Sequence, residues 1–401
     1  MSSQARAGIL EHNQPESDAM PLRVMLVCTG VGTLNRGIES FARECFDGLR
    51  EIPGLDITLL KGQGPEASGE QRLWNLPRTG LAARMLGAAL RRNPYTAEQL
   101  SSLLPLIREI RRRKPGVIFS SEANLLYQLH RWRELTGVSY RLLFSNGAPG
   151  RAPFDRTDYV HQVNPVNYRE ALDAGEPPVH QIMVPYGINV SEAPEPLSAD
   201  QIGRLRERLG LPIDRPVVLT VGHIGNSHKR MDYLIDEVAA LPESRPFLAM
   251  IGAMDESTPP YLQRARERLG ADGFLARSVP YREVAGYYRA ADLFALASLR
   301  EGFGRVYLEA LMYGLPVIAN DHPVMQYVIG SDGYLADLSH SGAMARAILQ
   351  EVGKVQTHRM RHARWERVRR LFDWRALAPQ YLEMFQHVAS GPVRPRVRRK
   401  R

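Results

Sequence analysis

Val217-Val218-Leu219-Thr220-Val221-Gly222-His223-Ile224-Gly225-Asn226-Ser227-His228-Lys229-Arg230 is an apolar run, a glycine-containing turn and the start of a helix. A short continuous apolar run bounded by turn residues predicts a buried parallel strand. The following Met231 to Ala240 reads as a helix. The pattern then repeats. Phe247 to Gly252 and Leu293 to Leu296 read as strands, Val306 to Tyr313 as a helix closed by Gly314, and Pro316 to Ala319 as a return to the sheet.

The same alternation fills the first half. Arg23 to Cys28 predicts a strand, Thr29-Gly30-Val31-Gly32 a turn, and Ile38, Phe41, Ala42, Cys45, Phe46 and Leu49 an amphipathic helix. Leu55 to Leu60, Val117 to Ser120 and Arg141 to Ser145 predict strands, and Leu103 to Arg113 a helix that stops before Pro115. Strand–helix alternation implies a parallel sheet covered on both faces. Two such units are expected, with a hinge at Ala193-Pro194-Glu195-Pro196 and Pro185 just upstream. The expected class is α/β, two Rossmann-like doubly wound domains facing a central cleft. The expected division is a disordered tail over 1–20, a first domain over 21–190 and a second over 191–370. A helix crossing back to the first domain is expected over 371–390, and a basic disordered tail over 391–401.

The 401 residues are 44% hydrophobic and 24% charged, as in soluble globular proteins. No run approaches the roughly 18 apolar residues of a membrane span. The polar, mixed-charge start lacks the apolar core of a secretory signal, so a cytoplasmic protein is expected. Cys28 and Cys45 lie in hydrophobic patterns and read as buried thiols of a reducing compartment.

The net charge of +9 raises nucleic acid, an anionic membrane or a small anion as partners. Much of the excess lies in Arg359 to Arg370 and in Arg394, Arg396, Arg398, Arg399, Lys400 and Arg401. Like-charge runs are usually solvated and disordered. No zinc-finger spacing or aromatic RNA-binding signature accompanies them, so nucleic acid is not expected. Attraction to anionic lipid is the functional alternative. Arg78 to Arg92 sets Leu81, Met85, Leu86 and Leu90 among Arg78, Arg84, Arg91 and Arg92. Such a basic amphipathic helix either lies on a membrane or packs its apolar side on the first domain.

The chemistry concentrates in Glu301-Gly302-Phe303-Gly304-Arg305-Val306-Tyr307-Leu308-Glu309. Its glycines let backbone approach a ligand, and the N–H groups of a helix start suit a diphosphate. Glu309 falls about one turn inside the helix. Glu301 is therefore expected to hold sugar hydroxyls on one side of the phosphates, and Glu309 ribose hydroxyls on the other. Lys229 and Arg230 are placed to neutralise a leaving diphosphate, with help from His223 or His228. Glu122, Asn124, Tyr127 and Gln128 follow a strand and are expected on the acceptor side.

These motifs resemble those of the retaining glycosyltransferases of family 4, which have the two-domain GT-B fold. Glu301 to Glu309 matches their Glu-x7-Glu pattern with Gly-Phe-Gly. Val221-Gly222 through Lys229 resembles their Val-Gly-Arg…Lys-Gly segment, and Val184-Pro185-Tyr186-Gly187-Ile188-Asn189 their Val-Pro-Asn-Gly-Val-Asp hinge. Asn35-Arg36-Gly37-Ile38-Glu39 resembles their Gly-Gly-x-Glu turn, and Phe372-Asp373-Trp374 their final crossing segment. The resemblance spans about Leu22 to Val388, is specific over 217–320 and is weak over 60–180.

It implies that Glu301 and Lys229 are catalytic, with Lys229 stabilising the leaving diphosphate. It implies backbone donor contacts from Gly302, Phe303, Gly304, Arg305 and Val306, and ribose binding by Glu309. Gly222, His223 and Arg230 would join them from the first turn of the second domain. Gly30, Gly32, Arg36 and Gly37 would lie across the cleft beside the phosphates, and Val279 and Tyr281 beside the base. The implied reaction keeps the anomeric configuration, uses no metal or other cofactor, and takes a UDP- or GDP-linked sugar as co-substrate. The implied acceptor is a hydroxyl of a glycan, glycolipid or polysaccharide precursor, in some relatives lipid-linked. A non-catalytic nucleotide-sugar-binding protein and a natural-product glycosyltransferase are the competing expectations.

Some positions depart from the pattern. His223 stands for the usual Arg, and Arg36 for the first glycine of the turn, where it would restore the charge lost at 223. Asn189 replaces the usual Asp. Asn146-Gly147-Ala148-Pro149 lacks the usual His, and Asn146 is expected to take its place toward the donor sugar.

Overall fold

The apolar runs become two all-parallel sheets. In the first half the strands are β1 (Leu22–Cys28), β2 (Leu55–Lys61), β3 (Glu70–Arg72), β4 (Val117–Ser120), β5 (Arg141–Ser145), β6 (Tyr159–Gln162) and β7 (Gln181–Met183), in the order β3-β2-β1-β4-β5-β6-β7. In the second they are β8 (Val217–Val221), β9 (Phe247–Ile251), β10 (Phe274–Arg277), β11 (Leu293–Ala295), β12 (Val317–Asn320) and β13 (Gly333–Ala336), in the order β10-β9-β8-β11-β12-β13. This computed structural model describes residues 20–34, 36–148 and 150–395. Asn35, Pro149 and the expected tails over 1–19 and 396–401 lie outside the described residues.

Helices cover both faces, so Val24 to Cys28 are buried throughout, which is why the run is apolar without alternation. The direction in which successive strands are added across the sheet reverses between β1 and β4 and between β8 and β11. Ligands bind at such switch points, beyond the carboxyl ends of the strands. In the second unit this sets the loop after β8, with Lys229, beside the loop after β11, with Glu301.

One apolar core runs through both units. Phe41 stacks on Tyr186 at 3.8 Å, and Phe303 meets Tyr186 edge-on at 5.4 Å. The final helix, Trp374–Ser390, packs on the first unit, where its Tyr381 hydroxyl donates to the Pro185 carbonyl at 3.1 Å. The two chain crossings pair as a short parallel bridge. Ile188 N–H donates to the Phe372 carbonyl at 2.8 Å, and Trp374 N–H to the Ile188 carbonyl at 3.3 Å. This bridge falls within Val184 to Asn189, the segment that resembles a hinge in sequence, and upstream of Ala193 to Pro196. Backbone pairing with a segment far along the chain leaves no mark in local composition.

Three basic stretches take distinct places in the fold. Within 78–92 the helix is Leu81–Ala89, and it turns Ala83 and Gly87 inward. Leu81 and Met85 are left 72% and 64% exposed, while Leu86 is half-buried. Arg359 to Arg370 is not a disordered run but part of the helix His358–Phe372. Arg364 donates to the Gly314 carbonyl at 2.9 Å and Arg367 to the Val328 carbonyl at 2.8 Å, satisfying helix ends that would otherwise be orphaned. Arg394, expected in a disordered tail, pairs with buried Glu176 at 2.7 Å.

Candidate active site

Lys229 lays its stem along Gly222 and reaches Glu301 Oε1 with Nζ at 2.6 Å. The Glu301 side chain is only 9% exposed. Burial pushes its carboxyl up, but His228 and the Lys229 charge outweigh it and hold it down, to about 2. The unfolded chain would protonate this group near 4.5, so the folded state binds fewer protons between the two values. Stability from the pair is therefore complete above the unfolded value and is lost as pH falls. We expect the unfolding free-energy gap between wild type and Glu301→Gln to shrink by about 3 kcal/mol from about pH 5 to about pH 2. Urea titrations across that range check this; a constant gap would contradict the pairing.

Gly304 caps the helix Arg305–Met312 at φ +80, where a Cβ would also meet the Tyr307 ring at 2.9 Å. A side chain at 304 is thus strained both in backbone and in space. This turn frees the helix start while Phe303 is buried beneath it. The Gly302 carbonyl accepts from Asn164 of the first unit at 3.0 Å. Val306 is half-buried against the core.

Glu309 lies in the same helix, with Oε2 2.9 Å from the Tyr288 hydroxyl and Oε1 3.3 Å from that of Tyr281. Burial raises its carboxyl, against the pull of Arg305 and the Tyr288 hydrogen bond. Tyr281 and Glu309 line a cavity of about 570 Å³ between this unit and the helix Gly37–Leu49 of the first. Gly32, Leu34, Glu39 and Arg43 line the opposite wall. Val279 is half-buried just before Tyr281. Glu301 and Lys229 are not among the lining residues.

Several expected contact residues are engaged within the protein. Glu122 does not line an acceptor surface: it is 2% exposed and its carboxyl is engaged by Thr29. Asn146 is buried, donating to Gln162 Oε1 at 2.9 Å and accepting from Gly150 N–H at 2.6 Å, so both ends of its amide are used. Arg230 adopts φ +52 and donates to the carbonyls of Leu338 and Ala297, which ties down the end of β11. His223 pairs with Asp255 Oδ2 at 2.9 Å. Arg36 pairs with Glu39 at 3.0 Å, and the Glu39 carboxylate sits where a Cβ on Gly30 would be. Exposed Gly37 begins the helix behind them, and Asn124 is exposed on the helix Ala123–Arg131.

Arg305 contributes more than its backbone. Its buried guanidinium pairs with Glu44 and donates to the Gly187 carbonyl at 3.4 Å, while Glu44 also accepts from Asn189 N–H at 3.2 Å. The donor motif, the hinge and the first unit's helix are joined there. Sequence reading passed over Glu44, Asp255 and Tyr288. Glu44 had one signal, a carboxylate inside the apolar face of Phe41, Cys45 and Phe46.

Residues 215–352 match the model of a family described as Glycosyl transferases group 1. Two curated relatives are D-inositol 3-phosphate glycosyltransferase of Xylanimonas cellulosilytica and mannosylfructose-phosphate synthase of Agrobacterium fabrum. The first is 36% identical over 142 residues, 34% of this chain and 34% of that protein. The second is 30% identical over 250 residues, 59% of this chain and 54% of that protein. The chain thus spans only about a third to a half of the relatives' length. The solved structure of Anabaena HepE in complex with UDP and glucose superposes with a TM-score of 0.68 at 15% identity, over 91% of this chain and 99% of that one. That likeness shows the fold, the GT-B arrangement of two Rossmann-like domains.

Proposed function

We propose that this chain is a glycosyltransferase that moves a sugar from a nucleoside-diphosphate sugar to a hydroxyl acceptor. The observation that carries the reading is the Lys229–Glu301 pair at the carboxyl ends of β8 and β11, inside the segment that matches the glycosyltransferase family. A fixed cation there meets the charge that develops on a departing diphosphate. Glu301 accepts sugar hydroxyls, and Glu309 with Tyr281 receives the nucleoside in the adjoining cavity. HepE, of the same fold, is solved with UDP and glucose, which supports a nucleotide-sugar co-substrate, UDP- or GDP-linked. Retention of configuration and turnover without a metal follow from the motif resemblance. The test is release of nucleoside diphosphate from a panel of nucleotide sugars with a hydroxyl acceptor, in the presence of a chelator. Proton NMR of the product reads the anomeric configuration. No release from any donor, or an inverted product, would overturn the corresponding part.

The acceptor side is proposed to meet an anionic lipid surface, as for a glycolipid or lipid-linked polysaccharide precursor. Among the described residues no helix is long and apolar enough to cross a membrane. The helix Leu81–Ala89 nevertheless turns Leu81 and Met85 outward beside exposed Arg84, Arg91 and Arg92, and no acid lies between Arg72 and Glu98. We expect sedimentation with vesicles containing anionic lipid but not with neutral ones, and a several-fold loss for Leu81→Ser with Met85→Ser. Equal sedimentation of that double variant would exclude this face.

A further inference from the structure

Thr29 closes β1 and leads into the Gly30–Gly32 turn, and its side chain faces two buried carboxyl groups. Thr29 Oγ1 lies 2.6 Å from Glu98 Oε1 and 2.6 Å from Glu122 Oε1. Glu98 is 1% exposed and Glu122 2%. A hydroxyl has one proton and can donate to only one of them. The other short contact needs a proton on the carboxyl itself.

The surrounding bonds say which one. Glu98 is held by Arg78 through three N–H donors. Backbone N lies at 2.7 Å from Oε2, Nε at 2.9 Å from Oε2, and Nη2 at 2.6 Å from Oε1. That is the environment of an ionised carboxylate. Glu122 Oε2 accepts Thr29 N–H at 2.9 Å, leaving Oε1 to carry a proton toward Thr29 Oγ1. The other neighbours of Glu122 are Ser120 from β4, Tyr95 with its hydroxyl 3.3 Å from Oε1, buried Cys28, and Arg78 at 3.6 Å. Arg78 is thus the one nearby cation among these groups. Two ionised carboxylates against it would leave a surplus buried charge, which costs several kcal/mol. With Glu122 neutral the cluster balances.

We infer that Glu122 is a protonated carboxylic acid at neutral pH, and that the chain Glu122–Thr29–Glu98–Arg78 positions the Thr29–Gly32 turn at the wall of the cleft. The turn's position matters because Val31 and Gly32 line the cavity that also holds Glu309. Gly32 sits at φ +87 with the Gln63 carbonyl 2.1 Å from where its Cβ would be, so the turn has little room to relax. A shift of Thr29 is therefore passed to the cavity wall. Burial raises the Glu122 carboxyl above its ordinary value, whereas Arg78 and Thr29 hold that of Glu98 below it. The fold keeps a proton that the unfolded chain releases, so the network weakens as pH rises.

The importance of the turn rests on the donor-site reading; the proton does not. Infrared difference spectra of wild type minus Glu122→Gln at neutral pH should therefore contain the carbonyl stretch of a protonated carboxylic acid. Only carboxylate bands there would overturn the inference, whatever the enzyme's activity. In turnover, Glu122→Gln should stay within about two-fold of wild type, because its amide donates to Thr29 Oγ1 and its carbonyl still accepts Thr29 N–H. It should also hold its activity to higher pH than wild type. Thr29→Val should lose about 10- to 100-fold while remaining folded, and Thr29→Ser should restore most of it. Glu122→Gln as inactive as Thr29→Val, or with an unaltered alkaline limb, would overturn the positioning role.

Discussion

Lys229→Ala is expected to lower kcat by about 10²- to 10³-fold while the protein remains folded. The Lys229 ammonium is held by its stem against Gly222 and by Glu301, so it is fixed before a donor arrives. Fixed charge of this kind needs no reorganisation when the diphosphate departs, and a solvent cation cannot replace it. The loss should fall on kcat rather than KM, because the charge it meets develops in the transition state. Lys229→Arg should recover only part of the rate, since a planar fork does not occupy the position of a single ammonium. Glu301→Ala should cost a comparable factor. Steady-state release of nucleoside diphosphate measures all three, with circular dichroism as the folding control. Full activity in folded Lys229→Ala would remove the basis of the assignment.

The second large effect is on stability. Glu44→Ala is expected to cost about 3–5 kcal/mol, because it strands the buried Arg305 guanidinium without its ion-pair partner. The remaining acceptor of that guanidinium, the Gly187 carbonyl, carries no charge. Arg305→Leu alone should also destabilise, by leaving Glu44 buried. Together, Glu44→Met and Arg305→Leu should recover most of the loss, since a well-packed apolar pair replaces a buried ion pair at little cost. Urea unfolding of wild type, Glu44→Met, Arg305→Leu and the double variant closes the cycle. Additive single effects would mean that the two side chains do not depend on each other. Because the pair joins the two units at the hinge, the singles should also alter donor affinity, which the double tests separately.

The sheet strands were the most legible part. β1, β4, β5, β8, β9, β11 and β12 are buried on both faces, so their sequences are nearly unbroken apolar runs. The edge strands β3, β10 and β13 were not legible, because half-buried residues such as Glu70 and Leu275 carry no such pattern. The positions of Lys229 and Glu301 at strand ends were legible for the same reason as the strands. What the side chains there touch was not. Asn146, Arg230 and Glu122 are polar residues in the right loops, yet each spends its polar atoms on neighbouring backbone and side chains. The basic stretch in Arg359 to Arg370 misled in the same way, since its arginines cap carbonyls of other helices.

By itself the sequence determined two doubly wound units, a glycine-framed helix start after β11, and a lysine at the corresponding loop after β8. Those features are local: burial on both faces dictates a run of apolar residues, and a tight helix entry dictates glycine. Tertiary structure alone decided that Lys229 meets Glu301, that Arg305 meets Glu44 across the hinge, and that Glu98 and Glu122 share the hydroxyl of Thr29. Each of these joins residues distant along the chain. Their energies come from burial and charge balance, which composition and spacing along the chain do not contain.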